Sequence, residues 1–341
     1  MKSIEINSLP LEEVLHDLSV YFNTRCIKNC DEYLVKIPAK WGNGYIKGIS
    51  FKSGVGFIQY QCEFRKDLEI KFIVNETHPV KFLYCLNGLV HHRFANSGRV
   101  NSLKKYQNAI VASQGRNGHV IQFAAGIRTR LCSLEIDRKK FKPAMACYLK
   151  KSSEGLQHLF KDETAKKSFY YEGLYSLQIT NYFEEMDLFV HKNLIKRIFL
   201  EGKAYQIFTS QLIQYNDDLN HADERSVLRN SELRSIEKAV KIIELELESL
   251  ESVHSLANRV GLNQNKLQDG FHNLYSLSVN AFIHKERLKL AVSLLKNTNI
   301  PMVEIMERLG LTSQSYFSKI FRDRYAITPS GYRKLHTIKP A

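Results

Sequence analysis

Hydrophobic and polar residues alternate with a period of two through much of the chain between residues 33 and 137. The apolar segments are rich in β-branched and aromatic residues and include YLVKI, GFIQYQCEF, VKFLYCL and RLCSLEI. Such segments predict short strands. Turn-like residues separate them at 42–44, 87–88, 96–98 and 117–118, and an Asn-Gly pair is typical of a hairpin because a type I′ turn requires positive φ. The pattern predicts a β-barrel or β-sandwich.

Beyond Phe141 the spacing of apolar residues becomes helical. The segment from Asn193 to Tyr215 predicts a helix whose inner face carries apolar residues three or four positions apart. These residues are Leu194, Ile198, Ala204, Ile207, Phe208 and Leu212. A long helix after a β-rich region is typical of a domain spacer or a dimer contact, and the polar segment from Asn216 to Ser226 predicts a linker.

The last section of the chain contains two segments with one common pattern. In the first, from Ser252 to Tyr275, Ser252 is predicted to cap a short helix that Gly261 ends in the left-handed conformation. Asn263 is then predicted to cap a second helix. A short helix, a glycine turn and a second helix form the helix-turn-helix motif.

The second copy runs from Pro301 to Tyr325, with Gly310 at the turn and Thr312 or Ser313 as the cap. It aligns with the first copy after the insertion of one residue in its turn region. Between the copies, the segment from Ala281 to Asn297 predicts a connecting helix. A rigid connection suits two recognition helices that enter successive major grooves, about 34 Å apart.

Charge and processing signals narrow the class of protein. A formal net charge of +14 favours nucleic acid or an anionic small ligand as partner. Six cysteines, all before residue 150, are too sparse for a disulfide scaffold. The chain shows no apolar run of the ~18 to 20 residues that span a bilayer, and its start, MKSIEINSLPLEEV, lacks the apolar core of a signal peptide. We therefore expect a cytoplasmic protein without membrane contact.

Three segments of the carboxy-terminal third have a specific pattern: ERLKLAVSLL, EIMERLGL and, most specifically, SQSYFSKIFRDRYAITPSGYRK. Through these segments the chain resembles the AraC family of bacterial transcription regulators, and the resemblance covers roughly the last hundred residues. A looser similarity, in KLQDGFHNLYSLSVNAFI and RIFLEGKAYQIFTSQL, is to the subgroup that contains the pyochelin-type siderophore regulators.

Four positions depart from the family pattern. Ala326 and Ser276 stand where glycine is usual, and Pro301 stands where a capping serine is common. Asp269 stands where the family often has an arginine that touches DNA. Because phosphate repels a carboxylate, we expect the first helix-turn-helix to bind DNA weakly or to read a cytosine amine.

Polar side chains opposite the inner face of each second helix are the predicted contacts with DNA bases. They are Gln314, Ser315, Ser318 and Lys319 in the second unit and Asn265, Gln268, Asp269 and His272 in the first. Neighbouring basic residues are predicted to hold phosphates and to fix register. These are Arg322, Arg324, Arg333 and Lys334. A polar helix face is usually just solvated, but a tandem motif with positive charge favours DNA.

The resemblance implies that the β-rich region is a cupin-like effector-binding barrel. A catalytic cupin holds its metal with two histidines one residue apart, whereas His91 and His92 are adjacent and would point to opposite faces of a strand. We therefore predict no enzyme activity, no metal and no cofactor, and interpret this pair as part of a partly exposed hairpin.

No acidic residue lies between Glu76 and Glu135, and five arginines in that interval are candidates for holding an anionic effector. They are Arg93, Arg99, Arg116, Arg128 and Arg130. The same charges would equally suit a basic surface beside DNA.

The sequence thus predicts an α+β protein with three parts. They are a cupin-like β-barrel sensor (1–140), a helical dimerisation segment with a linker (141–226) and an all-α domain with two helix-turn-helix units (227–341). The predicted function is that of a homodimeric, sequence-specific regulator that binds double-stranded DNA, contacts RNA polymerase and responds to a small effector, and the resemblance implies activation. The alternatives are a metal-dependent cupin enzyme with a DNA-targeting tail and a regulator without a small ligand.

Overall fold

The computed structural model of the protein describes residues 2–73, 76–115, 117–162, 165–173, 177–220, 230–250, 252–275 and 277–336. Arg116, Ser276 and most of the predicted linker lie outside these ranges. The chain forms two compact units, Met1–Arg225 and Ser226–Ala341. No helix in the described part of the chain is long and apolar enough to cross a membrane.

The described residues of the first unit form thirteen strands, which confirms the predicted β-rich character. The strands are β1 (Lys2–Ile6), β2 (Cys26–Asn29), β3 (Glu32–Lys36), β4 (Gly42–Ser50), β5 (Val55–Phe64), β6 (Leu68–Phe72), β7 (Val80–Asn87), β8 (Leu89–Phe94), β9 (Asn101–Lys104), β10 (Asn108–Ala112), β11 (His119–Phe123), β12 (Thr129–Ile136) and β13 (Phe169–Glu172). A small sheet has the strand order β1-β6-β11-β8-β9, and a large sheet has the order β13-β10-β7-β12-β5-β4-β3-β2. Strand β1 is parallel to β6, and the other neighbouring strands are antiparallel.

The predicted closed barrel is wrong for the described residues, which form two open sheets. A barrel closes only when its edge strands pair. The large sheet instead ends at β13 and at β2, where Ile27, Lys28 and Asn29 are exposed, and the small sheet ends at β1 and β9. The alternation along the sequence therefore predicted the strands but not the way in which the sheets end.

Two of the predicted hairpin turns are corners between the sheets. Strand β7 belongs to the large sheet and β8 to the small sheet, so Asn87-Gly88 turns the chain from one layer to the other. Gly88 has φ 87°, and a Cβ there would lie 2.9 Å from the Arg128 carbonyl oxygen. The pair at 117–118 likewise stands between β10 and β11 in different sheets. Residues 96–98 do join the antiparallel pair β8 and β9, whereas 42–44 lie inside β4.

The large sheet is covered on both faces. Side chains between the two sheets form one apolar core together with helix α1 (Leu11–Phe22). A second core joins the opposite face of the large sheet to four helices, α2 (Arg138–Leu149), α3 (Glu154–Lys161), α4 (Leu177–Leu188) and α5 (Asn193–Asn220). Double coverage explains the nearly continuous apolar run of β7, whose residues from Val80 to Leu86 are all buried.

Helix α5 begins at the predicted residue and continues five residues beyond Tyr215. Ala204, Ile207 and Phe208 form its buried face, as predicted. Leu194 and Ile198 were expected on the same face but are 71% and 64% exposed. The first turns of α5 therefore present apolar side chains to solvent.

The described residues of the second unit form seven helices. They are α6 (Asn230–Leu245), α7 (Val253–Arg259), α8 (Gln264–Tyr275), α9 (Val279–Asn297), α10 (Met302–Arg308), α11 (Gln314–Tyr325) and α12 (Pro329–His336). Helices α7 and α8 form the first helix-turn-helix, α10 and α11 form the second, and α9 connects them. The carboxy-terminal all-α domain with two such units is therefore confirmed.

Candidate nucleic-acid interface

The turn of the second helix-turn-helix depends on Gly310. This residue has φ 61°, and a Cβ at its position would lie 2.5 Å from the Leu247 carbonyl oxygen. Both the dihedral angle and the close approach require glycine. Helix α11 then begins after Ser313, whose hydroxyl oxygen accepts a hydrogen bond from the Tyr316 amide at 3.3 Å. Sequence predicted the glycine turn and a cap at Thr312 or Ser313, and the structure places the cap at Ser313.

Two phenylalanines anchor α11. Phe317 and Phe321 are fully buried, and their ring centroids lie 5.8 Å apart. They pack with Ile305 and Leu309 of the preceding helix-turn segment in one core. Since residues four apart lie on one face of a helix, this core turns the opposite face of α11 outward.

Helix α11 carries the predicted base-contact residues of the second helix-turn-helix. Gln314, Ser315 and Lys319 are exposed, and Ser318 is half-buried at the edge of the face. The amide of Gln314 suits adenine and the ammonium of Lys319 suits guanine, while serine hydroxyls bond either kind of base edge. The first half of α11 can thus present hydrogen-bonding groups to a major groove.

Basic residues follow the predicted base-contact residues, on the last turns of α11 and on α12. Arg322 and Arg324 are exposed on the last turns of α11, and Lys334 is exposed on α12. Arg333 is half-buried. Helix α11 ends at Ala326, which adopts φ 59° in the position where the family usually has glycine. The left-handed C-cap is therefore kept despite the Cβ.

The first helix-turn-helix follows the same plan. The Ser252 hydroxyl accepts from the Ser255 amide at 3.1 Å, and Gly261 turns the chain with φ 72°. The Asn263 side chain accepts from the Lys266 amide at 2.8 Å at the start of α8. These three residues have the local roles that the sequence predicted.

The face of α8 is less suited to DNA than that of α11. Asn265, Asp269 and His272 are exposed, so one carboxylate lies among the candidate groups. Gln268 is half-buried, and its amide oxygen accepts from the Val279 amide at 3.1 Å. Gln268 was predicted to face bases, but in the structure its side chain caps α9, because it lies beside the first turn of that helix.

The third residue of each recognition helix contacts a helix outside its own motif. Lys266 in α8 pairs with Glu232 of α6 at 2.7 Å, and the Tyr316 hydroxyl in α11 lies 3.4 Å from His284 Nε2 of α9. Burial lowers the pKa of His284, and the nearby Arg287 guanidinium lowers it further. These contacts were not predicted, although Lys266 and Tyr316 correspond when the two twelve-residue helices are aligned.

The predicted effector arginines are not brought together. Arg93 on β8 pairs with Glu69 at 2.7 Å, whereas Arg130 on β12 of the other sheet pairs with Asp187 of α4. Arg99 and Arg128 are exposed. Two of the four described arginines are therefore neutralised by carboxylates in different layers.

The adjacent histidines do point in opposite directions, but the predicted partly exposed hairpin is wrong for His92. His91 is half-buried and its Nδ1 lies 2.9 Å from the Ser102 hydroxyl. His92 is 1% exposed between the sheets, and its Nε2 lies 3.1 Å from Nδ1 of the fully buried His119. The period of two along β8 predicted the two opposite directions. It could not predict that the large sheet covers His92.

The first unit also contains a cleft of about 630 Å³. Its lining includes the start of α1, the start of α2 and the turn between β4 and β5. Glu135, which lines the cleft, pairs with the buried Lys81 behind it. Among the described residues, no group of three or more histidine, cysteine, aspartate or glutamate side chains is arranged to hold a metal ion.

Comparison with known proteins agrees with this arrangement. The model of the PchR regulatory protein N-terminal domain matches residues 42–227, which is more than half of the chain, and a helix-turn-helix domain model matches residues 256–335. The chain belongs to the AraC family of DNA-binding transcription regulators. The family explains why two helix-turn-helix motifs follow a β-rich unit in one chain.

Individual AraC-family relatives match parts of the chain. The Msm operon regulatory protein of Streptococcus mutans is 23% identical over 185 residues, which are 54% of this chain and 65% of that protein. The regulator ExsA of Pseudomonas aeruginosa is 29% identical over 109 residues, which are 32% of this chain and 39% of ExsA. The chain thus spans less than two thirds of these relatives.

A solved structure is similar to part of the chain. It is the crystal structure of a transcriptional regulator with an AraC-type DNA-binding domain from Chromobacterium violaceum, 25% identical, with a TM-score of 0.30. The match covers 31% of this chain and 96% of that one.

Proposed function

We propose that this AraC-family protein is a sequence-specific regulator that reads DNA mainly through α11. The observation that carries the proposal is the exposed side of α11, where Ser315 and Lys319 lie opposite two buried phenylalanines and Gln314 is exposed at the start of the helix. Arg322 follows on the same helix as a phosphate ligand. Helix α8 contributes less because Asp269 is exposed and Gln268 caps α9.

The protein is further proposed to act as a homodimer that activates transcription through contact with RNA polymerase. The exposed apolar side chains of α5 support a dimer. Ile195, Ile198 and Ile213 are 58%, 64% and 56% exposed, and they lie at helical spacings on one side of α5. Exposed apolar stripes of this kind are typical of protein interfaces.

We place the effector of the first unit in the cleft between α1, α2 and the β4–β5 turn. The volume of about 630 Å³ suits a small molecule. Its lining includes Glu13, Glu76, Glu135, Lys139 and Lys140, so acidic groups outnumber basic ones. This lining favours a ligand with hydrogen-bond donors or positive charge over the anion that the arginines suggested. Binding there would change the DNA affinity of the intact chain but not of the second unit alone.

The DNA-reading proposal is tested by comparing two substitutions on α11. Lys319→Ala removes a group proposed to contact base edges, so it will weaken binding to a selected genomic duplex by about 1 to 3 kcal/mol and relax base preference. Arg322→Ala removes a phosphate contact, so it will weaken selected and random duplexes alike and lower the salt slope by about 1. Gel-shift titrations at several salt concentrations measure both effects. Equal loss on selected and random DNA for Lys319→Ala would contradict the assignment.

The rival function, a metal-dependent cupin enzyme with a DNA-targeting tail, gains no support from the family match or from the relatives. Metal analysis of the purified protein distinguishes the two proposals. Stoichiometric iron or manganese would favour the enzyme.

A further inference from the structure

A lysine of the first recognition helix, α8, already forms an ion pair with a carboxylate. Lys266, in the first turn of α8, forms an ion pair with Glu232 of α6 at 2.7 Å. The lysine side chain is 56% exposed and the glutamate side chain 17%. The contact therefore joins the edge of the candidate DNA-binding face to a helix outside the motif.

Lys266 is the one lysine or arginine between Gln264 and Tyr275. The same helix carries the exposed Asp269, so its carboxylate offsets any attraction that His272 provides. Helix α11, by contrast, carries Lys319, Arg322 and Arg324. With Lys266 paired, α8 offers phosphate neither a lysine nor an arginine that is free of a carboxylate.

We propose that Lys266 is a phosphate ligand of the first helix-turn-helix and that its ion pair with Glu232 keeps it from binding phosphate until the pair is broken. The inference rests on the proposed DNA-binding function and adds its regulation. Because the Lys266 side chain is more than half exposed, the pair contributes on the order of 1 kcal/mol, so a phosphate can replace the carboxylate at little cost.

The position of Glu232 in the chain suits a control point. Helix α6 begins at Asn230, so Glu232 lies in its first turn, and the second unit itself begins at Ser226. Along the chain, this turn is the first described helical segment after the sensing unit. A change that displaces the first turn of α6 moves Glu232 away from Lys266 and frees the lysine for phosphate.

A double-mutant cycle on the full chain tests the proposal. Glu232→Gln, Lys266→Met and the double variant are titrated against one duplex selected from genomic fragments, by fluorescence anisotropy between 50 and 200 mM salt. Glu232→Gln will tighten binding and steepen the salt slope by about 0.9, because one phosphate contact is added. The ratio of affinities at the two salt concentrations will then grow about 3.5-fold. Lys266→Met alone will change affinity less than twofold, and the double variant will match it.

Glu304→Gln is the matched control, since it also removes one negative charge from the second unit but breaks a pair with Arg308 inside α10. It will leave the salt slope unchanged. A lower slope for Lys266→Met alone would overturn the proposal, because the lysine would already contact DNA. A gain from Glu232→Gln that persists without Lys266, or no gain at all, would overturn it as well. If the unaltered protein binds no selected duplex, the function itself fails instead. Circular dichroism confirms folding, and Lys266→Met keeps the test decisive should Glu232→Gln unfold.

Discussion

His92 and His119 meet between the two sheets and share one hydrogen bond while both are buried. Burial lowers the pKa of His92 to about 3, and burial together with the neighbouring cations lowers the pKa of His119 well below its ordinary value. Lys81 adds positive charge near both rings. The folded protein therefore keeps both imidazoles neutral at a pH where an unfolded chain, with histidine pKa values of about 6.5, takes up protons.

This difference makes the first unit acid-sensitive. The stability is fully present above about pH 6.5 and falls below it, because only the unfolded state binds protons there, and for His92 the loss continues to about pH 3. Each such group costs about 1.4 kcal/mol per pH unit. Urea unfolding of the full chain at pH 7.5, 6.5, 5.5 and 5.0 will show this slope, and the double substitution His92→Leu with His119→Leu will flatten it. His91→Gln serves as the control and will keep the slope. A double variant as acid-sensitive as the unaltered protein would refute this account.

Single residues differed in how far sequence could assign them. Gly261, Gly310 and Ser313 were predictable because local backbone chemistry, a positive φ or an N-cap, dictates their type. Gln268 was not, since its hydrogen bond to Val279 depends on how α8 and α9 meet. Side chains with local roles can be predicted from sequence, whereas tertiary partners decide the others.

Helix α5 shows what a hydrophobic pattern leaves open. Its apolar residues predicted the helix and its start at Asn193 correctly, but they form two stripes rather than one. Ala204, Ile207 and Phe208 pack against the large sheet, while Ile195, Ile198 and Ile213 face solvent. Because periodicity gives spacing but not the partner of each stripe, the outward stripe could be identified only from the fold.

The outward stripe gives the prediction for the dimer. Replacing Ile195 and Ile198 by aspartate will convert a dimer into a monomer, because burying two carboxylates at an apolar contact is unfavourable by several kcal/mol. Sedimentation velocity measures the change. Val20→Asp on α1, where Val20 is 65% exposed, applies the same chemistry to another surface and will leave the dimer intact. A monomeric unaltered protein, or dissociation of the Val20 variant instead, would argue against α5 as the interface.

At the scale of the molecule, sequence predicted the second unit far better than the first. Contacts within each helix-turn-helix are local, and glycines and caps mark their limits, so both motifs could be assigned from pattern alone. The first unit depends on pairings between distant segments, such as β1 with β6 and β10 with β13. Such pairings decide whether strands close a barrel or end as open sheets, and period-two alternation carries no information about them.

The division into two compact units predicts that residues 226–341 fold and bind DNA alone. This fragment will keep the base preference of the full chain, since α8 and α11 both lie within it, but it will bind more weakly because it lacks the proposed dimer contact. Fluorescence anisotropy on the selected duplex measures both properties. Its affinity will also be indifferent to small molecules that alter binding by the full chain. A folded fragment without base preference would show that the first unit takes part in reading the DNA bases, whereas a fragment whose affinity responds to such molecules would place their binding site in the second unit.

Helix α9 has a further consequence for how a binding site can change over time. Its 19 residues span about 28 Å, and Gln268 ties its first turn to the first recognition helix. Inserting one residue into α9 would rotate everything beyond it by about 100° and advance it by 1.5 Å. Point substitutions can therefore alter the base preference of one helix-turn-helix without affecting the other. The rotation and distance between the two motifs are fixed by the length of α9 alone. Changes in the base sequence of a binding site can therefore be accommodated, whereas changes in the spacing of its two halves cannot.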